Sequence, residues 1–329
     1  MTAPNAKKNF SQMTRVAIEC VERLRLDLRD KVVITEAATD AYACTAALAA
    51  AAGAQVVALA KGTAWGTAKA AQRDVKALAK AMKTPGSIEF ISRLTPSLLG
   101  RADVITNSGH LRPLNAAVIK SLAPHAVIPT MYEEVELRRS DIDLEVCRKR
   151  GIRVGGTNEQ HPSTRVLDYL GPAVAKSLFL AGWELTGQSC LVITDNLLGD
   201  HCAETLSGLG ARVTKVTPAA LPLGSRWDVV IMATLPKLSG GKKLSLKGIE
   251  GGTVCQVWGD AVRSSSKSPW IPQAEPASGA MGVPLSVLGS TPIIKLQAAG
   301  LKCAEVMLNG GSGEFADIVQ WIVGSKNEE

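Results

Sequence analysis

Residues 32–60 read VVITEAATDAYACTAALAAAAGAQVVALA, and this stretch determines the fold class. It begins with a β-branched triplet at 32–34, which predicts a strand. An alanine-rich segment follows and predicts a helix ending near Gly53, and the apolar run at 55–60 predicts a second strand. Strands joined by a connection of helical length pair in parallel. The stretch therefore predicts a βαβ unit and an α/β fold.

The same alternation of strands and helices continues along the chain. Further strands are predicted at 87–91, 102–106, 126–129, 152–154, 189–193, 212–216, 229–234 and 253–258, and further helices at 71–82, 115–122, 201–209, 293–308 and 315–323. A longer helical pattern over 163–180 separates two series, with Ser163 as a candidate N-cap. We therefore expect two doubly wound parallel-sheet, Rossmann-like domains joined by a long helix. Their expected ranges are 1–160 with returning C-terminal helices in 293–329, the linking helix 161–183, and 184–292.

The composition excludes several classes of protein. The 329 residues are 46% hydrophobic and 20% charged, which suits two globular domains. A net formal charge of +7 without basic clusters, and only 4% aromatic residues, give no support for nucleic-acid binding. Seven cysteines without a CxxC pair indicate neither a disulfide scaffold nor a zinc site. Without a bilayer-spanning run or a secretory signal, the sequence predicts a cytoplasmic protein without membrane contacts or a bound metal.

Polar residues follow several of the predicted strands, where ligands bind in open α/β sheets. His110 and Arg112 follow the strand at 102–106, and His161 follows the strand at 152–154; these three are the candidate catalytic residues. The residues expected to line a ligand cleft are Asn107, Tyr132, Glu133, Asn158, Glu159 and Trp258. The alternative is structural: Asn107 and His110 cap a turn, and His161 caps a helix.

One segment carries a family resemblance. Residues 141–145 read DIDLE, residues 147–154 read CRKRGIRV, and Gly156, Thr157 and Asn158 follow. This segment resembles the D-2-hydroxyacid dehydrogenases, whose substrate domain has a DNIDLEAAKKRGIPV stretch before a threonine–asparagine turn. The resemblance is specific over 142–158 and extends in layout over most of the chain. It implies a substrate-type domain, a nucleotide-type domain with a nicotinamide cofactor, and a two-fold homodimer.

The chain departs from that family where the cofactor would bind. The family's loop is G-x-G-x-x-G, in which glycines let backbone N–H groups approach the pyrophosphate. Residues 194–199 read TDNLLG here, so Thr194 and Asn196 stand at the first two glycine positions and Gly199 alone remains. Asp195 adds a negative charge where the pyrophosphate would lie. The strand at 212–216 also lacks the expected ribose-binding acid.

The catalytic positions of the family are also changed. Trp258 stands where the resemblance places the substrate-binding arginine, and Ala280 where it places the catalytic histidine. The chain further resembles dehydrogenase-like proteins of crocagin-type peptide natural-product biosynthesis, which bind a precursor peptide. We therefore expect a pseudoenzyme without a cofactor that binds a precursor peptide or protein partner as a homodimer.

Two alternatives stay open at this point. One is an NAD(P)-dependent oxidoreductase of the 2-hydroxyacid dehydrogenase type with an atypical cofactor loop, in which Lys215 could contact a 2′-phosphate. The other is an enzyme of a different class that uses His110, Arg112 and His161.

Overall fold

The computed structural model of the protein describes residues 9–237 and 241–324. They form two compact units: unit 1 extends to Arg165 and resumes at Ser290, and unit 2 is Val166–Gly289. Each unit has a mainly parallel sheet and a buried core of its own. The predicted α/β class with two Rossmann-like parallel-sheet domains is confirmed.

The sheet of unit 1 has seven strands within the described residues. They are β1 (Val32–Ala37), β2 (Gln55–Ala60), β3 (Ser87–Ile91), β4 (Val104–Ile105), β5 (Val127–Pro129), β6 (Arg153–Thr157) and β14 (Val319–Val323). Their order is β14-β6-β5-β4-β1-β2-β3, and all neighbours are parallel except β14 and β6. The strand order reverses between β1 and β4, so the carboxyl ends of these strands form the switch point at which such sheets bind ligands.

The helices of unit 1 cover this sheet. They are α1 (Phe10–Arg23), α2 (Cys44–Ala51), α3 (Ala68–Met82), α4 (Pro96–Leu99), α5 (Ala116–Ser121), α6 (Leu144–Arg150) and α9 (Thr291–Leu308). Helix α2, with the sequence CTAALAAA, contacts α1, α3 and α9 and is buried at seven of its eight residues. Its alanines leave room for this close packing on several sides, which explains why the segment is apolar all around instead of amphipathic.

The predicted helix at 315–323 is wrong. The chain forms a short 3-10 turn at Ala316–Ile318 and then strand β14, which pairs antiparallel with β6. The sequence VQWIV is rich in β-branched and aromatic residues, and the exposed edge of β6 provides its hydrogen-bonding partner. The last residues of the predicted returning segment, 325–329, lie outside the described residues.

Unit 2 has a five-stranded parallel sheet with a two-stranded ribbon. The strands are β7 (Ser189–Thr194), β8 (Arg212–Val216), β9 (Ser225–Ala233), β10 (Leu244–Ser245), β11 (Ile249–Trp258), β12 (Ala261–Val262) and β13 (Trp270–Ile271). The main order is β13-β11-β9-β7-β8, and β10 pairs with β12. Within the described chain, helices α7 (Leu170–Leu180) and α8 (Leu197–Gly208) pack against each other in this unit.

Two predicted helix starts need correction. The helix expected from Ser163 begins at Leu170, because Arg165 has a left-handed φ of 48° and a separate 3-10 turn occupies Leu167–Tyr169. The helix expected at 201–209 begins earlier, at Leu197, because the Asn196 side chain accepts a hydrogen bond from the N–H of Leu198. In the described ranges, no helix combines the length and apolar character needed to span a bilayer.

Candidate functional site

A directed chain of hydrogen bonds joins residues beyond β4 and β5 in unit 1. Asn107 Nδ2 donates to Tyr132 Oη at 2.6 Å, and Tyr132 Oη donates to Asp141 Oδ2 at 2.9 Å. Because the single phenolic hydrogen goes to Asp141, Tyr132 can only accept from Asn107, which sets the orientation of the amide. Asn107 Oδ1 therefore points away from the phenol. It has no hydrogen-bond partner among the described residues, although Asn107 is fully buried.

Two arginines lie at the Asp141 end of this series of hydrogen bonds. Arg138 Nε donates to Asp141 Oδ2 at 3.3 Å, and Arg112 Nη1 lies 3.8 Å from the same oxygen. The guanidinium of Arg112 also lies 5.9 Å from the centre of the Tyr132 ring. Burial and the Asp141 carboxylate raise the pKa of Tyr132, so the phenol remains protonated and keeps donating. The structure thus brings together three predicted site residues, Asn107, Arg112 and Tyr132.

Three glutamates crowd the ends of β5 and β6. Burial raises the pKa of Glu159 well above its usual value, and the charges of Glu136 and Glu133 raise it further. Burial and repulsion from Glu133 raise the pKa of Glu136 to about 7, despite opposing charges from Arg138 and Arg112. Burial also raises the pKa of Glu133. Glu133 and Glu159 were predicted as cleft residues, whereas Glu136 was missed even though it follows Glu133 in the acidic run EEVE at 133–136.

His110 belongs to a separate network at the β1–β4 switch point. Its backbone N–H donates to Glu36 Oε2 at 3.2 Å, and its Nδ1 lies 3.2 Å from the same oxygen. Its Nε2 lies 2.6 Å from the carbonyl oxygen of Leu59. Gly109, with φ +43°, lies so close to Glu36 that a Cβ there would be 1.7 Å from Oε2. His110 is therefore packed into the sheet end by Glu36, a partner that sequence analysis missed.

His161 and Asn158 connect the end of β6 to the segment before β14. His161 Nδ1 accepts from the N–H of Ser163 at 3.2 Å, so Nε2 carries the hydrogen and donates to Asp317 at 3.2 Å. Asn158 Nδ2 donates to the Asp317 carbonyl oxygen at 2.9 Å. The two predicted residues thus share Asp317, and His161 and His110 lie in different hydrogen-bond networks.

In unit 2, the loop after β7 is filled by its own side chains. Thr194 Oγ1 accepts from the N–H of Asn196 at 3.2 Å, and Asn196 Oδ1 accepts from the N–H of Leu198 at 2.9 Å. Asn196 Nδ2 reaches the Ala233 carbonyl oxygen at 3.1 Å. A Cβ at Gly199 would lie 2.2 Å from the Thr194 side chain, so this glycine permits close packing of α8 on β7. The side chains of Thr194 and Asn196 therefore pair the N–H groups of Asn196 and Leu198.

Charged groups lie beside this loop. Asp195 is exposed, and its Oδ1 accepts from the N–H of Leu235 at 2.9 Å. Lys215, on β8, lies 2.5 Å from Asp200 in the first turn of α8, so its charge is matched within the unit. Two carboxylates thus lie near the N-terminus of α8, which begins at Leu197.

Trp258, at the end of β11, belongs to the interior of unit 2. It is 2% exposed, and its indole N–H donates to the Gly279 carbonyl oxygen at 3.2 Å. Its neighbour Gln256 is also buried and accepts from the Arg263 guanidinium at 2.9 Å. The Trp258 side chain thus anchors the loop that contains Ala280.

All seven cysteines are buried free thiols. Burial raises the pKa of Cys20 and Cys190 to about 11 and that of Cys147 and Cys255 to about 12, so these are not activated nucleophiles. Over residues 9–237 and 241–324, no three His, Cys, Asp or Glu side chains are placed to hold a metal ion.

The chain was compared with known proteins. No protein-family model and no curated protein matches it. Among solved structures, it is similar to the dipicolinate synthase A chain of Bacillus subtilis at 11% identity, covering 88% of this chain and 100% of that one, with a TM-score of 0.52. Entamoeba histolytica 3-phosphoglycerate dehydrogenase matches at 13% identity over 85% and 96% of the two chains, with a TM-score of 0.45. D-2-hydroxyisocaproate dehydrogenase matches at 12% over 89% and 100%, with a TM-score of 0.49. The chain therefore shares its two-unit α/β fold with the dipicolinate synthase A chain.

Proposed function

We propose that this chain is a non-catalytic binding protein with a dehydrogenase fold, which recognises a peptide or protein partner instead of a dinucleotide. The observation that carries the proposal is the loop at 194–199, in which the side chains of Thr194 and Asn196 accept hydrogen bonds from the N–H groups of Asn196 and Leu198. A fold does not determine an activity, so the loss of the cofactor site is compatible with the retained architecture.

The class of partner comes from the resemblance to crocagin-type proteins, which implies a precursor peptide in natural-product biosynthesis. The same family resemblance implies a homodimer, and closed two-fold pairs are the commonest oligomers. Sedimentation equilibrium of the purified chain at micromolar concentration tests the dimer. A single monomeric species across the concentration range would exclude it.

The proposal that the chain does not bind a dinucleotide is tested by calorimetry and thermal unfolding with NAD⁺, NADH, NADP⁺ and NADPH at millimolar concentrations. A ligand at 100 times its dissociation constant adds about 2.7 kcal/mol of stability. We expect no heat of binding and no change in melting temperature. The double variant Thr194→Gly/Asn196→Gly should also fail to bind these nucleotides. It keeps the negative charge of Asp195, and it still has no acidic residue to bind the ribose.

The alternative function is an NAD(P)-dependent oxidoreductase, and the fold itself supports it. Micromolar binding of any of the four nucleotides to the unmodified chain would overturn the proposal and establish this alternative, and a screen of 2-keto acids would follow. Binding by the double variant alone would show that the loop side chains are the sole obstacle.

A further inference from the structure

Helix α3 of unit 1 carries a row of exposed cations on its outer face. These are the side chains of Lys69, Arg73, Lys76 and Lys80, followed by Lys83 at the C-cap. A spacing of four, three and four residues places the first four on one face of the helix. The opposite face packs into the core through Ala71, Val75, Leu78 and Met82. Because two or three other residues separate each cation from the next, they form no basic run in the sequence and gather only on the folded helix.

The charge of this row is largely unmatched. Asp74 is the one acidic residue of α3; it is 1% exposed and lies 3.1 Å from Arg73. The four lysines of the row and the C-cap form no ion pair with any described carboxylate. Five cations and one carboxylate give residues 68–83 a formal charge of +4, out of +7 for the whole chain. Such a surface attracts an acidic partner and speeds its association at low ionic strength.

Small apolar side chains lie beside the cations. Ala77 and Ala81 are exposed, and each directly follows a lysine of the row. Ala81 also lines a groove of about 720 Å³ along α1, whose lining includes Phe10 and Ile18. An apolar row flanked by a charged row is the arrangement through which two helices pack side by side. Phosphate backbones and lipid headgroups would be attracted by the cations but would leave the alanines and the groove unused.

The α1 side of the groove has the opposite charge. Its charged lining residues are Arg15, Glu19 and Glu22, with a formal charge of −1. Acidic side chains of a partner are therefore favoured only where they face α3. This asymmetry selects a partner that carries its acids on one face, which is a property of an amphipathic helix.

From these observations we propose that the outer face of α3 binds an acidic amphipathic helix of a peptide or protein partner. The partner's carboxylates face the cation row, and its small or apolar side chains lie on Ala77 and Ala81. From Lys69 to Lys80 the row extends about 16 Å at the rise of an α-helix, so about three turns of a partner helix cover it. The inference names the partner chemistry of the proposed binding function and rests on that function for its use.

The test is a calorimetric titration of the full chain at pH 7 with a blocked, alanine-based helical peptide that has glutamates at the same spacing of four, three and four. We expect a Kd on the order of 0.1–1 mM at low salt, as for a few exposed ion pairs acting together. Binding should weaken at least about tenfold at about 0.3 M salt, because the charges are screened. The same peptide with glutamines in place of the glutamates should also bind at least about tenfold more weakly.

Matched variants locate the site. Lys76→Glu/Lys80→Glu reverses two charges of the row and should weaken binding of the acidic peptide at least about tenfold. Lys247→Glu/Lys267→Glu makes the same change in net charge at two exposed lysines of unit 2 and should keep the Kd within about twofold. Circular dichroism and melting temperature verify the fold of each variant, and Lys76→Gln/Lys80→Gln replaces the first double variant if that one does not fold.

Several results would overturn the proposal. No saturable binding of the acidic peptide up to about 5 mM would exclude the site, and equal weakening in the two double variants would assign the effect to net charge. Tighter binding of polyuridylic acid or of phosphatidylserine vesicles than of the peptide would assign the row to a nucleic acid or a membrane. Self-association at low salt that Lys76→Glu/Lys80→Glu abolishes would identify a second copy of the chain as the occupant. The nucleotide titration concerns the loop of unit 2, so its failure and the failure of this proposal can be told apart.

Discussion

The carboxyl edges of the two sheets differ in how the polar groups that follow their strands are hydrogen-bonded. In unit 2, Thr194 and Asn196 accept hydrogen bonds from the N–H groups of Asn196 and Leu198, and Asp195 accepts one from the N–H of Leu235. In unit 1, Asn107 and Glu133 each leave a buried acceptor without a partner in the described structure. Both edges occupy the position at which open α/β sheets bind ligands. Side chains at the unit 2 edge thus accept hydrogen bonds from neighbouring backbone N–H groups, whereas two acceptors at the unit 1 edge have no partner among the described residues.

The difference also concerns charge. The unit 2 edge pairs Lys215 with Asp200, so the exposed charges there are matched. The unit 1 edge concentrates Glu133, Glu136 and Glu159, whose pKa values are all raised, first of all by burial. Groups with perturbed pKa values cluster at functional sites, although structural networks can also perturb them. Functional experiments on this protein should therefore start with unit 1.

The largest expected effect comes from Gly109→Ala, at the switch point of unit 1. The new Cβ would lie 1.7 Å from Glu36 Oε2, and the alanine would have to adopt the left-handed φ of +43°. Glu36 would then lose its contacts with His110, and we expect a loss of about 2–4 kcal/mol in urea unfolding. Gly151→Ala is the matched control, because Gly151 has a φ of +67° with no atom within 4 Å of the added Cβ. Equal losses would show that the Glu36 contact contributes nothing.

Removing the phenolic oxygen should have the next largest effect. Tyr132→Phe leaves the buried Asp141 carboxylate and the Asn107 amide each without one partner. We expect a loss of about 1–3 kcal/mol of unfolding free energy, since the buried groups lose their hydrogen bonds. Urea denaturation measures the loss. Unchanged stability would show that water replaces the hydroxyl and that the hydrogen bond to Tyr132 does not orient Asn107.

Glu136→Gln should stabilise the protein at high pH. The pKa of Glu136 in the folded protein is raised to about 7 from an ordinary 4.5. Its favourable contribution to the free energy of unfolding is therefore complete below pH 4.5 and is lost as the pH rises through about 7. Because the side chain is only partly buried, we expect the variant to gain about 1–2 kcal/mol at pH 8 and nothing at pH 4.5.

Thermal and urea unfolding at the two pH values measure this gain. Glu134→Gln, which removes an exposed carboxyl from the same turn, is the control. The ionisable groups that face Glu136 are Glu133, Glu159, Arg138 and Arg112, and they remain in both variants. An equal gain in Glu134→Gln would assign the effect to net charge instead of to the buried cluster.

The smallest effect is expected in unit 2. Lys215→Ala breaks an ion pair whose two side chains are 52% and 45% exposed. Exposed pairs contribute little, so we expect a change below about 0.5 kcal/mol, falling further with added salt. Asp200→Asn should match it. A loss above 1 kcal/mol would mean that the charges of unit 2 are as tightly coupled as those of unit 1.

The fold was largely predictable from the sequence, because hydrophobic periodicity reports burial directly. The runs predicted as strands at 32–34 and 189–193 both lie in buried parallel strands, β1 and β7. The segment 319–323 was not predictable as a strand, because its pairing partner β6 lies more than 160 residues earlier in the chain. Likewise, the late start of α7 depends on the left-handed φ of Arg165, which no local pattern indicated.

The candidate site was only partly predictable. Asn107, Tyr132, Glu133 and Glu159 were identified because they follow strands, and the structure places them on one edge. Asp141 was not predicted as a site residue, although its carboxylate accepts the hydrogen bond that orients the Tyr132 hydroxyl. Trp258 was expected in a cleft, yet it is 2% exposed because the loop at Gly279 covers it.

By itself, the sequence determined the α/β class, because apolar periodicity is a property of local composition and spacing. Only the tertiary structure decided which polar groups meet: Glu36 with His110, Asp141 with Tyr132, and Glu136 with Glu159. The physical reason is that sheet order brings together strand ends that are far apart in the chain. Burial then determines which of their hydrogen bonds and charges remain unmatched.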